Sequence, residues 1–212
     1  MGPMNIVGGH VALDLVNTVE PRVPGGTDGV DHLDTPDDLA RWASRVAMLD
    51  GDEAERVRRA WADADGGASA LAAALEIREA AYTVLLTQLG AVEDVGTALD
   101  VLVRHWRRAM GRSTLSLEPV EDTGDRLRVG VDPELLVPDR LAHATVTLLR
   151  TLDPRQLKAC PLTEGGCGWL FLDRSRNGSR RWCSMEDCGA RAKARRLTDR
   201  RRGARAARPA SS

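Results

Sequence analysis

All four cysteines of this chain fall in its last quarter, spaced Cys160-x6-Cys167-x15-Cys183-x4-Cys188. Two pairs of thiols joined by a short linker are what one tetrahedral Zn²⁺ needs, with sulfurs about 2.3 Å from the metal. That demand constrains folding more than any other feature, because the segment must close on itself wherever the rest of the chain goes. Disulfides are the competing use. The N-terminus (MGPMNIVGGH) lacks a basic-then-apolar leader, and no run of 18 apolar residues exists. A soluble, cytoplasmic protein with no membrane partner is therefore expected. Thiols stay reduced in that compartment. Cys160, Cys167, Cys183 and Cys188 are accordingly read as ligands of one structural zinc.

Charge is unevenly placed. The net charge is −1, but residues 160–212 carry 13 Lys and Arg against 5 Asp and Glu, a net of +8. Residues 1–159 carry 17 against 26, a net of −9. Arg outnumbers Lys 28 to 2, so abundance alone reflects compositional bias and placement is the informative part. A tail of this sign suits a polyanion, and the body does not. The candidates are Arg174, Arg176, Asn177, Arg180 and Arg181, then Arg191, Lys193, Arg195, Arg196, Arg200 and Arg201 past the last cysteine. Arg195, Arg196, Arg200 and Arg201 suit phosphates. Arg176, Asn177 and Arg191 suit base edges.

Apolar periodicity in the body is helical. Val11 to Val19 reads as a first helix, followed by a Pro/Gly/Asp-rich loop over 21–34. Thr35-Pro36-Asp37-Asp38 combines a cap, a first-turn proline and acids at the positive end of the dipole. Leu39, Trp42, Ala43, Val46 and Leu49 follow on one face, and Asp50-Gly51-Asp52 starts another helix. Gly66-Gly67 separates that from a long helix over 68–89, and a further helix spans 95–110. Residues 114–131 alternate around Thr123-Gly124-Asp125 and read as a β-hairpin. Pro138 opens a last helix that ends at Asp153-Pro154. Asp14 and Asn17 share a face beside His10. Local hydrogen bonding to the loop explains them, and a small-ligand pocket is the alternative. Trp42, Trp61 and Trp106 sit on apolar faces and read as core.

In the cysteine region, Cys167-Gly168 has the form of a zinc knuckle. Trp169–Asp173 and Arg180–Cys183 flank Asn177-Gly178, a strong hairpin signal. A helix follows Cys188-Gly189. Knuckle, hairpin and ligand-bearing helix make a treble-clef-like arrangement. The fold class expected is a mainly α N-terminal domain with a small β-hairpin, over 1–154, plus an α+β zinc finger over 155–203. A disordered basic tail is expected over 204–212.

The run from Cys167 to Gly189 resembles the CGNR zinc finger of bacterial transcriptional regulators. Leu13-Asp14-Leu15-Val16-Asn17-Thr18 resembles the start of the ABATE domain, which accompanies that finger in a family of stress-induced regulators. The resemblance implies DNA binding through the finger and a helical N-terminal domain. Two departures stand out. Residues 188–191 read Cys-Gly-Ala-Arg, with Ala190 where the naming motif has Asn. Six residues, not the usual four, separate Cys160 from Cys167, and Gly165-Gly166 offers the freedom to absorb them.

The leading functional expectation is a transcriptional regulator that binds double-stranded DNA. Its N-terminal domain would sense a small-molecule effector or form a homodimer. An RNA- or ribosome-associated zinc protein is the alternative, with Trp169, Phe171 and Trp182 as its stacking residues if they are exposed. No paired acids, nucleophile elbow, phosphate loop or open metal site supports an enzyme.

Overall fold

The computed structural model describes residues 4–26, 29–62, 64–116 and 126–206, with only the backbone for 64, 201 and 203–206. The body is helical, as its periodicity implies. Helices α4 (Ala64–Gln88), α5 (Gly96–Gly111) and α6 (Leu136–Thr151) pack against one another. The short helix α1 (Val11–Val16) lies on α4 and α6, and α2 (Pro36–Arg45) and α3 (Gly51–Ala60) pair beside α4. Because α4 has neighbours on several sides, it is not amphipathic. Ala70, Ala74, Ile77, Ala81 and Leu85 are fully buried, and Ala80, Tyr82, Val84 and Leu86 nearly so.

Local signals set the helix starts. Thr35 accepts from the Asp38 amide while the Asp38 carboxylate accepts from the Thr35 amide, a reciprocal cap. Asp50 and Glu53 repeat the device at α3. Glu53 also pairs with Arg140, tying α3 to α6. Gly66-Gly67 does not separate two helices. Both residues lie in the first turn of α4, where a Cβ on Gly67 would crowd Pro36 and Trp61. Helix α6 starts two residues before Pro138, which takes the first-turn position that tolerates a missing N–H. Helix α1 is shorter than its apolar run. Val19–Glu20 leaves it as strand β1, antiparallel to β2 (Val30–Asp31).

The expected body hairpin is present as β3 (Thr114–Leu115) and β4 (Leu127–Arg128), Thr114 opposite Arg128. Its turn at Thr123-Gly124-Asp125 lies outside the described residues.

The finger's strand pairing differs from expectation. Strand β6 (Leu170–Leu172) pairs with β5 (Leu157–Ala159), with Phe171 opposite Lys158, and not with the segment at 180–183. The reason is that both edges of β6 are already occupied. The Cys160 amide donates to Trp169 O and the Asp173 amide to Gln156 O, which fills the β5 side. On the other side Leu170 and Leu172 bond to the body. The Asn177-Gly178 turn does form, but the buried carboxylate of Asp173 organises it. That carboxylate accepts from the Ser175 amide and hydroxyl, the Arg180 amide and Lys158 Nζ. The Lys158 hydrogen bond, with those of Ser175, holds its pKa far below the usual carboxylate range. The last helix, α7 (Ala190–Ala206), runs three residues past the expected boundary at 203. The rest of the expected tail lies outside the described residues.

Candidate metal centre and basic surface

The β5–β6 connection carries Cys160 and Cys167 as a knuckle. Six intervening residues are taken up by a 3₁₀ turn, Leu162–Glu164, closed by Gly165 at φ 90°. Gly168, at φ 79°, follows the second ligand, and a side chain there would run into the Arg22 carbonyl. Cys183 precedes a π-turn, Met185–Gly189, capped by Ser184, and Cys188 sits inside that turn. The four Sγ atoms lie within 4.8 Å of one another and all four residues are buried. Cys167 and Cys183 sulfurs are 3.4 Å apart, and Cys183 and Cys188 are 3.6 Å apart. These separations are too long for a disulfide. They approach the roughly 3.8 Å edge of a tetrahedron with metal–sulfur bonds of about 2.3 Å.

The four thiols also act on one another electrostatically. Hydrogen bonds from Cys167 and Cys183 pull Cys160 strongly down in pKa. The same bonds, with burial, push Cys167 up, and Cys183 rises through Cys160 and burial. Four thiolates this close repel one another without a cation, and a divalent ion reverses that balance. The donor set fits zinc. Arg191 Nη2 lies 3.1 Å from Cys188 Sγ and 3.4 Å from Glu20 Oε1, offsetting thiolate charge beside the body.

His10, Asp14 and Asn17 each make a hydrogen bond within the protein. His10 caps α1 through Nδ1, which accepts from the Ala12 amide at 3.2 Å. Burial, then the charge of Arg174, lowers its pKa and keeps that nitrogen an acceptor. Asp14 accepts from the Gly8 amide at 2.8 Å, and burial raises its pKa despite the Gly8 and Val7 amides. Asn17 reaches the finger. Its Nδ2 donates to Leu170 O at 2.8 Å, and Leu170 N donates to its Oδ1 at 2.9 Å. One side chain thus completes β6 as a neighbouring strand would.

That clamp belongs to a longer seam that sequence reasoning missed. Leu172 N donates to Gly8 O, Trp169 Nε1 to Val19 O and Arg22 N to Cys167 O. The Arg22 guanidinium is buried, stacks 4.0 Å from the Tyr82 ring centre and pairs with Glu79. Only the Leu13–Thr18 motif hinted at this seam. Partners some 150 residues apart leave no mark in local spacing.

The basic candidates separate into two groups. Arg180 is withdrawn from the DNA-facing set. Its guanidinium donates to Trp182 O, Cys183 O, Leu172 O and Val7 O and lies 4.4 Å from the centre of the Phe171 ring. Arg181 and Arg196 share Glu164, and Arg191 serves the thiolate. Arg174, Arg176, Asn177, Lys193, Arg195, Arg200 and Arg202 are exposed. The cations among them make no ion pair within the described residues. The Arg201 side chain lies outside the described set.

Trp169, Phe171 and Trp182 are buried, at 4%, 0% and 7% exposure, and form the finger's core. Among the described residues no helix is long and apolar enough to cross a membrane. A groove of about 380 Å³ opens between α4 and α5, lined by Ala80, Val95, Ala98 and Val101 with Glu76 and Glu79 at its rim.

Comparison with known proteins gives two matches. A model for the CGNR zinc finger matches residues 156–201, and the ABATE model, described as a putative stress-induced transcription regulator, matches residues 9–152. No curated protein matches the chain.

Proposed function

For a chain that belongs to the ABATE family of transcription regulators and carries a CGNR zinc finger, we propose that the finger binds double-stranded DNA while the body senses an effector or self-associates. The observation that carries this reading is the set of exposed cations Arg174, Arg176, Lys193, Arg195, Arg200 and Arg202, which make no ion pair among the described residues and lie on elements next to the metal centre. Each phosphate contact releases counterions and steepens the salt dependence of binding. The metal is structural, because four protein sulfurs leave no open position for chemistry, and the protein catalyses no reaction. It acts in the cytoplasm. The α4–α5 groove is the effector site this reading favours. The RNA reading loses its stacking residues, since the three finger aromatics are core.

Salt titration of duplex binding by the full-length, zinc-loaded chain tests the proposal, with wild type compared to Arg195→Ala/Arg200→Ala. The slope of log K against log salt is expected to fall by about 1.8 for two lost contacts. Unchanged affinity and slope, or duplex binding that survives zinc chelation, would overturn it.

A further inference from the structure

Helix α7 leaves the metal centre with one side turned inward, marked by Ala192 at 2% exposure. At about 100° per residue, the outward line opposite Ala192 carries Ala190, Ala194, Leu197 and Thr198, all exposed. Arg191, Arg195 and Arg202 flank this line on one side, and Lys193, Arg196 and Arg200 on the other. Arg191 and Arg196 are held by Glu20 and Glu164. That leaves in each row two cations with no ion pair among the described residues: Arg195 and Arg202, and Lys193 and Arg200. A helix lying along a single phosphate strand would carry its charge in the middle of its exposed face. Two cationic rows around a ridge that is uncharged from Ala190 to Thr198 fit a partner with two anionic walls and a less polar floor. The major groove of B-DNA, about 12 Å wide, has that form and admits a helix.

Resting on the duplex reading above, we infer that α7 enters the major groove and that its ridge recognises the C5-methyl groups of thymine. The ridge displays methyl groups. Thr198 Oγ1 donates to Ala194 O at 3.1 Å, so its hydroxyl is engaged within the helix and its methyl remains for a partner. Ala190 replaces the amide that the family motif places at this position, which removes a group suited to adenine N6 and N7. Leu197 is 48% exposed although it is the bulkiest apolar side chain on the helix. The thymine methyl is the one apolar group that base pairs present in the major groove. By backbone position, Arg201 continues the line one turn beyond Leu197.

The experiment compares binding of the full-length zinc-loaded protein to alternating poly(dA-dT) and poly(dA-dU) duplexes, which differ by that methyl, with single-stranded oligo(dT) as a third arm. Loss of the methyl is expected to weaken binding about three- to fourfold per contact. Leu197→Ala should remove most of the difference between the two duplexes at unchanged salt slope. Lys193→Ala/Arg200→Ala should lower the slope and keep the difference. Equal affinity for both duplexes, with strong salt-dependent binding, overturns the methyl reading and leaves phosphate binding standing. Tighter binding to the single strand overturns the groove geometry. No duplex binding at any salt overturns the proposed function as well.

Discussion

Helix α4 in the body buries Ala70, Ala74, Ile77, Ala81 and Leu85 against four other helices, so its position is secured many times over. Strand β6 in the finger buries Leu170, Phe171 and Leu172, but with β5 alone as its strand neighbour. The finger makes up the deficit from two sources. Four cysteines offer a metal site on one side, and residues 5–22 of the body supply hydrogen bonds on the other. The body is stabilised by contacts distributed over many side chains, and the finger by a few indispensable ones. Perturbations of the two regions should therefore differ in kind.

Metal removal should separate them most. A structural zinc contributes about 10–16 kcal/mol in small modules. Chelation at neutral pH should abolish the near-UV signal of Trp169 and Trp182 while most far-UV helicity of α4, α5 and α6 survives. Unchanged signals from both tryptophans would show that the metal does not hold the finger. Within the body, Leu85→Ala empties a fully buried site. It should cost about 2–5 kcal/mol by urea denaturation while the protein still binds metal stoichiometrically.

The seam between the regions is sharpened by Asn17→Ala, which strips the Leu170 amide and carbonyl of their partner. At about 1–3 kcal/mol for each of the two buried groups left unpaired, a loss of about 2–6 kcal/mol is expected. Hydrogen-exchange protection should fall in α1 and β6 together, not at one end alone. If isolated residues 155–212 fold with zinc to full stability, the seam is dispensable. Trp169→Phe removes one bond, to Val19 O. It should cost about 1 kcal/mol.

The smallest effect is a pH dependence confined to the body. Burial would raise the Glu53 pKa, but the hydrogen bonds and charge of Arg140 outweigh it and hold the carboxyl below its ordinary value. The stability it contributes is present above the unfolded value of about 4.3. It is lost as the pH falls through the lower folded value. Urea midpoints should therefore drop less steeply on acidification for Glu53→Gln than for wild type. Parallel curves would refute this role for the Arg140 pair.

Much of this protein could be read without its structure, where the signals are local. Thr35 and Asp50 announce helix starts because a cap acts within three residues, and apolar period places α2, α3 and α5. Cysteine spacing delivers the ligand cluster because the metal demands all four sulfurs wherever the loops go. Gly66-Gly67 misled, since a glycine pair at a first turn resembles a break until Pro36 and Trp61 are known to press on it.

Hydrogen-bond partners far apart in the chain were decided only by the tertiary structure. Asn177-Gly178 promised a hairpin, yet β6 already had β5 on one edge and Asn17 with Gly8 on the other, so no edge remained for 180–183. The sequence suggests local bonding of Asn17 to the 21–34 loop, with a pocket as the alternative, because its partner, Leu170, lies 153 positions away. Arginines that look alike in sequence also differ once folded. Arg180 is committed to backbone carbonyls, Arg191 to a thiolate and Arg196 to Glu164, whereas Lys193, Arg195 and Arg200 are exposed and make no ion pair among the described residues. Composition determines how many cations the finger carries. Only packing determines which of them the fold itself uses, because that depends on carboxylates and carbonyls brought near from elsewhere in the chain.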